Sequence, residues 1–275
     1  MIELPEAIAF SKQLNQVIFG KKIMNVIAAQ TPHKFAWYHG DPQKYHDLLA
    51  EKVIGTAQGF GSMIEIKAED AVILLGEGVA IRYHNENEKK PQKHQLLIEF
   101  DDFSAISVSV QMYGGIWCFK EGDFNNQYFL QAKVKPSPLS EDFDRTYFDN
   151  IISKQDNEKL SAKALLATEQ RIPGLGNGVL QDILYNAHIH PKKKVGTFSI
   201  EDKDNLFNSI KTTLAQMTFE GGRDTEKDIF GCFGGYKTKL SKNTVGQNCE
   251  ICGGKIKKEA YMGGSIYYCE GCQKI

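Results

Sequence analysis

Cys249-Glu250-Ile251-Cys252, then sixteen residues, then Cys269-Glu270-Gly271-Cys272, close the chain. Two Cys-x-x-Cys knuckles at that separation supply four thiolates that short hairpins can bring to the corners of a tetrahedron, the geometry Zn²⁺ prefers. Two disulfides are the alternative pairing. They need an oxidising compartment, to which nothing else in the chain points. Between the knuckles, Gly253-Gly254, a strand-like 255–262, Gly263-Gly264 and a strand-like 265–268 read as a ribbon of two hairpins. Four thiolates leave no ligand position open. A zinc ion held by Cys249, Cys252, Cys269 and Cys272 is therefore expected to be structural, folding a segment too small to fold alone.

Working outward, 275 residues favour two domains. With 41% hydrophobic and 24% charged residues, neither a disordered nor a fibrous chain is indicated. The net charge of -1 carries no global sign of a polyanionic partner. Lysines do cluster locally, at Lys192, Lys193 and Lys194 and at Lys237, Lys239, Lys242, Lys255, Lys257 and Lys258. Such runs are either a solvated face or a phosphate-binding one. No basic region precedes an apolar stretch at the start and no apolar run is long enough to span a bilayer, so a cytoplasmic protein with no membrane partner is expected.

Pro5, Glu6 and Gly20 frame an amphipathic helix over residues 1–20. From 22 to 117 the pattern changes to short β-rich runs at 23–29, 64–67, 71–75, 79–83, 95–100, 106–111 and 116–119, with one short helix at 41–52. That series favours a β-sandwich or barrel with the first helix packed on it. Pro136 and Pro138 mark a linker at 133–139. Helical periodicity follows at 143–152, 161–167, 179–188 and 200–218, the last opened by a Ser199/Asp202 capping box. The expected organisation is α+β: an N-terminal β-sandwich with its helix (1–132), the linker, a helical domain (140–236) and the ribbon (237–275).

Between two of the helices lies Arg171-Ile172-Pro173-Gly174-Leu175-Gly176-Asn177-Gly178. Gly174 and Gly176 let the backbone pass close to a partner, and Asn177 stands where it would cap the next helix, whose N-terminal amides favour an anion. The loop is either an ordinary helix-turn-helix corner or a phosphate contact. With Lys192 to Lys194 just beyond the second helix, the DNA-backbone reading is the better one.

Met-Ile-Glu-Leu-Pro-Glu at the start, Pro32 to Phe35, Pro173 to Asn177, Val179 to Tyr185, His190-Pro191, Gly221-Gly222, Gly235-Tyr236 and the four-cysteine ribbon occur in the order found in bacterial formamidopyrimidine-DNA glycosylases and endonuclease VIII. The chain resembles that family over essentially its whole length. The resemblance implies a monomer that clamps damaged or abasic double-stranded DNA between a β-sandwich and a helix-two-turns-helix zinc domain and flips a base out of the stack. It implies phosphate contacts from Asn177 and the ribbon.

The pattern departs from the family where the chemistry occurs. Family enzymes expose an N-terminal proline whose amine attacks the sugar; here Ile2 holds that place and Met1 is expected to be retained. The family's lysine falls at Ser62 or Met63, a frequent void-filling methionine falls at Glu77, only Tyr113 remains of the arginine-aromatic pair, and Gly263-Gly264-Ser265 replaces an arginine finger. Candidate catalytic groups are Glu3 as a general base, the α-amine of Met1 as an alternative nucleophile, and Glu6, which as a helix N-terminal acid also has a purely structural reading. Candidate DNA contacts are Asn177, Gly174, Gly176, Lys193, Tyr113 and Lys257. Either a base-excising glycosylase, with or without lyase activity, or a non-catalytic clamp is compatible with these residues.

Overall fold

A computed structural model describes residues 1–275. Its first helix, α1 (Leu4–Val17), occupies the seam between two apolar cores. Ala7, Phe10, Leu14 and Ile18 belong to a core of 30 buried residues drawn mostly from the β-rich half, whereas Leu4 belongs to a second core of 23 residues from the helical half. Being apolar on two faces, α1 serves both halves rather than resting on the sandwich alone.

The sandwich has two sheets. One runs in the order β1 (Ile23–Ala28), β7 (Leu96–Phe100), β8 (Ala105–Val110), β6 (Val79–His84); the other runs β2 (Ala36–Tyr38), β9 (Gly114–Lys120), β5 (Ala71–Leu75), β4 (Met63–Ala68), β3 (Ile54–Phe60). The expected strand runs all fall on these elements. Two strands, β2 and β3, carry too weak a pattern to be foreseen. In β3 the weakness has a cause: a Cβ on Gly59 would sit 2.8 Å from the Ala7 carbonyl carbon, so the strand gives up a side chain to let α1 lie on its backbone. The helix foreseen at 41–52 is a 3₁₀ turn (Pro42–Lys44) running into the short α2 (Tyr45–Leu49).

One helix was not foreseen. The helix α3 (Gln127–Val134) inserts Phe129 among Met63, Val72, Leu74 and Phe119, and it extends into the stretch expected as linker. Beyond it, α4 (Arg145–Ile152), α5 (Ala162–Ala167), α6 (Val179–Asn186) and α7 (Ile200–Phe219) build the second core. The capping box of α7 forms as expected: Ser199 Oγ accepts from the Asp202 amide at 3.0 Å, and the Asp202 carboxylate accepts from the Ser199 amide at 2.8 Å. The terminal ribbon carries one regular hairpin, β10 (Ile256–Tyr261) with β11 (Gly264–Cys269), where two were expected. The first knuckle is instead closed by a single bridge, Asn248 with Lys255.

The segment after α7 also departs from expectation. Although it follows the helical half in sequence, its Ile229 is fully buried in the sandwich core. The Tyr83 amide donates to the Ile229 carbonyl at 2.8 Å, Gln13 donates to Asp228 at 2.8 Å, and Phe230 meets Tyr83 edge to face. The segment therefore straps one half to the other. Ile229→Ala should lower stability by about 2–5 kcal/mol, seen as a lower urea midpoint; an unchanged midpoint would mean that the strap is not anchored.

Candidate active site and cysteine cluster

Arg223, at the root of the strap, is almost wholly buried and lies between two buried carboxylates. Its Nε and Nη2 donate to the two oxygens of Glu6 at 2.9 and 2.8 Å, its amide donates to Glu6 at 3.0 Å, and its Nη1 lies 3.6 Å from Glu3. Nη2 also donates to the Met1 carbonyl at 3.0 Å. Glu6 completes its shell with the Glu3 amide at 3.0 Å. Arg223 accordingly holds the Glu6 carboxyl below its ordinary range against the opposing effect of burial. Filled in this way, the Glu6 oxygens tie α1 to the root of the strap, the structural role also open to a helix N-terminal acid.

Glu3 occupies the N-terminus of α6. Its oxygens accept from the amides of Gly178 at 2.8 Å and Val179 at 2.7 Å. The helix is therefore capped by a carboxylate 175 residues away in sequence, and not by Asn177 as expected. Burial pushes the Glu3 carboxyl above its usual range, with Arg223 and the two amides pulling the other way. This contact also explains the glycines of the loop. A Cβ on Gly176 would lie 2.6 Å from Glu3 Oε1, one on Gly178 would lie 1.6 Å from Arg223 Nη1, and one on Gly174 would meet Gly61 at 2.6 Å. The chain's own contacts require those glycines, before any phosphate is considered.

Above Glu3 opens a cleft of about 570 Å³ between the two halves. Met1, Glu3, Ser62, Glu77, Met112 and Tyr113 line it from one side, and Lys163, Gly174, Gly176, Asn177 and the ribbon tip at Met262 to Gly264 from the other. The Met1 ammonium is paired with Glu226 of the strap. Of the two positions weighed for the family lysine, Ser62 lies on the cleft and Met63 is in the core. Tyr113 is drawn back against Trp37, with ring centroids 5.8 Å apart, whereas its neighbour Met112 is 65% exposed. Asn177 Nδ2 donates to the Ser265 carbonyl at 3.0 Å, tying the loop to the ribbon, and its buried Oδ1 has no partner.

The lysines are arranged otherwise than expected. Lys193 is locked into a two-oxygen pair with Asp202 at 2.9 and 2.8 Å, Lys192 is paired with Glu259, and Lys257 is paired with Glu270 at 2.5 Å. None of the three lines the cleft. The lysine that does is Lys163, on α5, which belongs to neither lysine cluster and to no motif in the sequence. It is 5% exposed, has no carboxylate partner, donates to the Tyr261 carbonyl at 2.6 Å, and has its pKa pushed down by burial. Glu169 and Gln170, also on the cleft, hold left-handed backbone angles of φ 57° and 47°, unusual for non-glycine residues.

The four cysteine sulfurs lie within 4.8 Å of one another, with Cys252 to Cys269 at 3.3 Å and Cys249 to Cys272 at 3.6 Å. A tetrahedral ion with bonds of about 2.3 Å to sulfur separates its ligands by about 3.8 Å, so the set fits such a metal. The cradle is shaped for it: a Cβ on Gly271 would reach 2.6 Å from Cys252 Sγ. Tyr185 Oη lies 3.0 Å from Cys249 Sγ and links the cluster to α6.

The chain matches no family model. It is similar to the formamidopyrimidine-DNA glycosylase of Prochlorococcus marinus, 31% identical over 196 residues that cover 69% of this chain and 66% of the relative. It is also similar to the enzyme of that name from Bacillus cereus, 26% identical over 280 residues and 99% of both chains. Among solved structures, a complex of Lactococcus lactis Fpg with DNA containing an abasic site superposes with a TM-score of 0.83 at 23% identity, over 99% of this chain and 100% of the other. The MutM (Fpg) protein of Thermus thermophilus gives 0.81 at 20% identity, over 98% of each. The two structures share this fold.

Removing the central cation leaves two buried carboxylates facing each other. Arg223→Met should destabilise the protein by about 3–5 kcal/mol in urea unfolding, and a change below about 1 kcal/mol would contradict the role assigned to Arg223.

Proposed function

The chain belongs to the formamidopyrimidine-DNA glycosylase family, and from that premise we propose that it binds damaged duplex DNA in the cleft and excises the damaged base. The observation that carries this reading is the convergence of the Met1 amine and the Glu3 carboxylate on one cleft that also presents Lys163 and the Gly174 to Asn177 loop. Named relatives and a complex with abasic-site DNA support the substrate class.

In this account Lys163, Asn177 and the loop amides hold the backbone, and Met112, rather than the retracted Tyr113, enters the space a flipped base leaves. Glu3 lies at the floor, where its charge stabilises the oxocarbenium-like sugar as the base departs, and on the hydrolytic route it accepts a proton from the attacking water. For the amine of Met1 to attack C1′, its ammonium first gives a proton to Glu226, with which it is paired; the C–N bond then forms as the glycosidic bond breaks, and the base leaves with that bond's electron pair and takes up the second proton that the nitrogen sheds. When water attacks instead, the products are the free base and an abasic site. Cys249, Cys252, Cys269 and Cys272 would hold a zinc ion whose role would be structural, bracing the hairpin that meets Asn177. The setting is base-excision repair, in the cytoplasm, by a monomer.

A second reading has its own support. Both Glu3 oxygens accept helix amides and the Met1 amine is paired, so the cleft also suits a clamp that binds abasic or distorted DNA without excision.

The test uses duplexes carrying an abasic site or an oxidised or alkylated base, with and without borohydride. A trapped adduct that disappears when the α-amine is blocked supports the amine route. Base release without trapping, reduced at least about 100-fold in Glu3→Gln, supports hydrolysis. Salt-sensitive binding with neither product leaves the clamp. Metal analysis of the purified chain should return one zinc per molecule; a metal-free folded ribbon would refute the structural role.

A further inference from the structure

Beside the cleft, and continuous with it across Ser62, Glu77, Tyr113, Tyr128 and Gln170, lies a smaller cavity of about 310 Å³. Its walls are aromatic: Trp37, Tyr113, Trp117 and Tyr128. Trp117 is admitted by missing side chains, since a Cβ on Gly76 would lie 3.0 Å and one on Gly115 2.0 Å from its indole. No lysine or arginine lines the cavity. Its one carboxyl is Glu77, whose electrostatic neighbours are Glu3 and the N-terminal amine and whose own oxygens make no hydrogen bond or ion pair.

We propose that this cavity receives an extrahelical nucleobase bearing a delocalised positive charge, as an N-alkylated purine does, stacked on the aromatic walls with its charge toward Glu77. The inference rests on the reading that duplex DNA occupies the adjoining cleft. Flat aromatic walls select a flat π system, and a volume near 300 Å³ is at the small end of ligand-enclosing sites. Charge selects within that class. Ring faces attract cations, and an unpartnered carboxylate in a half-buried site is stabilised by a cation and not by a neutral base, which would desolvate it without compensation. Glu77 and the aromatic walls are thus specificity determinants, separate from the groups at the cleft floor.

Both tryptophans of the chain stand in these walls, so intrinsic fluorescence reports directly on occupancy. Titration at neutral pH with 1-methyladenosine, a cation, and with its neutral isomer N6-methyladenosine should show quenching by the cation at concentrations at least about tenfold lower. Glu77→Gln should cut that preference to about threefold or less, the part that the ring faces supply, and Tyr128→Ala, at a residue 55% exposed, should weaken both ligands. Equal quenching by the two isomers, or a preference left undiminished by Glu77→Gln, overturns the assignment. Anisotropy of a labelled abasic-site duplex is measured in parallel. Duplex binding without nucleoside preference overturns the cavity assignment alone; no duplex binding removes the reading on which it rests, whatever the nucleosides do.

Discussion

A guanidinium buried between two buried carboxylates holds the N-terminal hexapeptide in place, and the cleft is built on that hexapeptide. Arg223 pairs with Glu6 and Glu3 and bonds the Met1 carbonyl, so residues that would ordinarily fray are fixed at the centre of the molecule. Charges this deep are tolerated only when paired and hydrogen-bonded, which explains why three separate groups of Arg223 reach Glu6. From this anchor Glu3 extends to the first amides of α6, and Leu4 donates to the Gly174 carbonyl at 3.0 Å. Sandwich, helices and strap therefore converge on six residues.

The cleft that results is not a simple basic groove. Glu3, Glu77 and Glu169 share it with Lys163 and the N-terminal amine, while Lys192, Lys193 and Lys257 lie off it and are each paired with a carboxylate. Binding of a phosphate backbone would therefore rest on a few placed donors more than on a broad field. The ribbon contributes position: through Ser265 it holds Asn177, and through its tip it presents Met262 and two glycines where a cation was absent from the sequence.

Much of the architecture was legible because its signals are local. Cysteine spacing located the four-cysteine cluster, alternation and turn residues located seven strands, and Ser199 with Asp202 announced α7. What escaped depends on contacts distant in sequence. Strand β3 is hidden because Gly59 makes room for α1, and α3 because it buries a single aromatic in a polar segment. Asn177 has the right chemistry for a cap and lost the place to Glu3, and Lys193 looked free until Asp202 was beside it. Arg223 carried no motif at all; its importance exists only once Glu3 and Glu6 are folded around it.

The most direct measurement is a crystal structure of the chain bound to a duplex containing a stable abasic-site analogue. The duplex should lie in the cleft, with the sugar C1′ of the analogue facing Met1 and Glu3, Lys163 and Asn177 on flanking phosphates, and Arg223 still between Glu3 and Glu6. A duplex bound outside the cleft, or a hexapeptide pulled away from Arg223 to admit it, would contradict this arrangement.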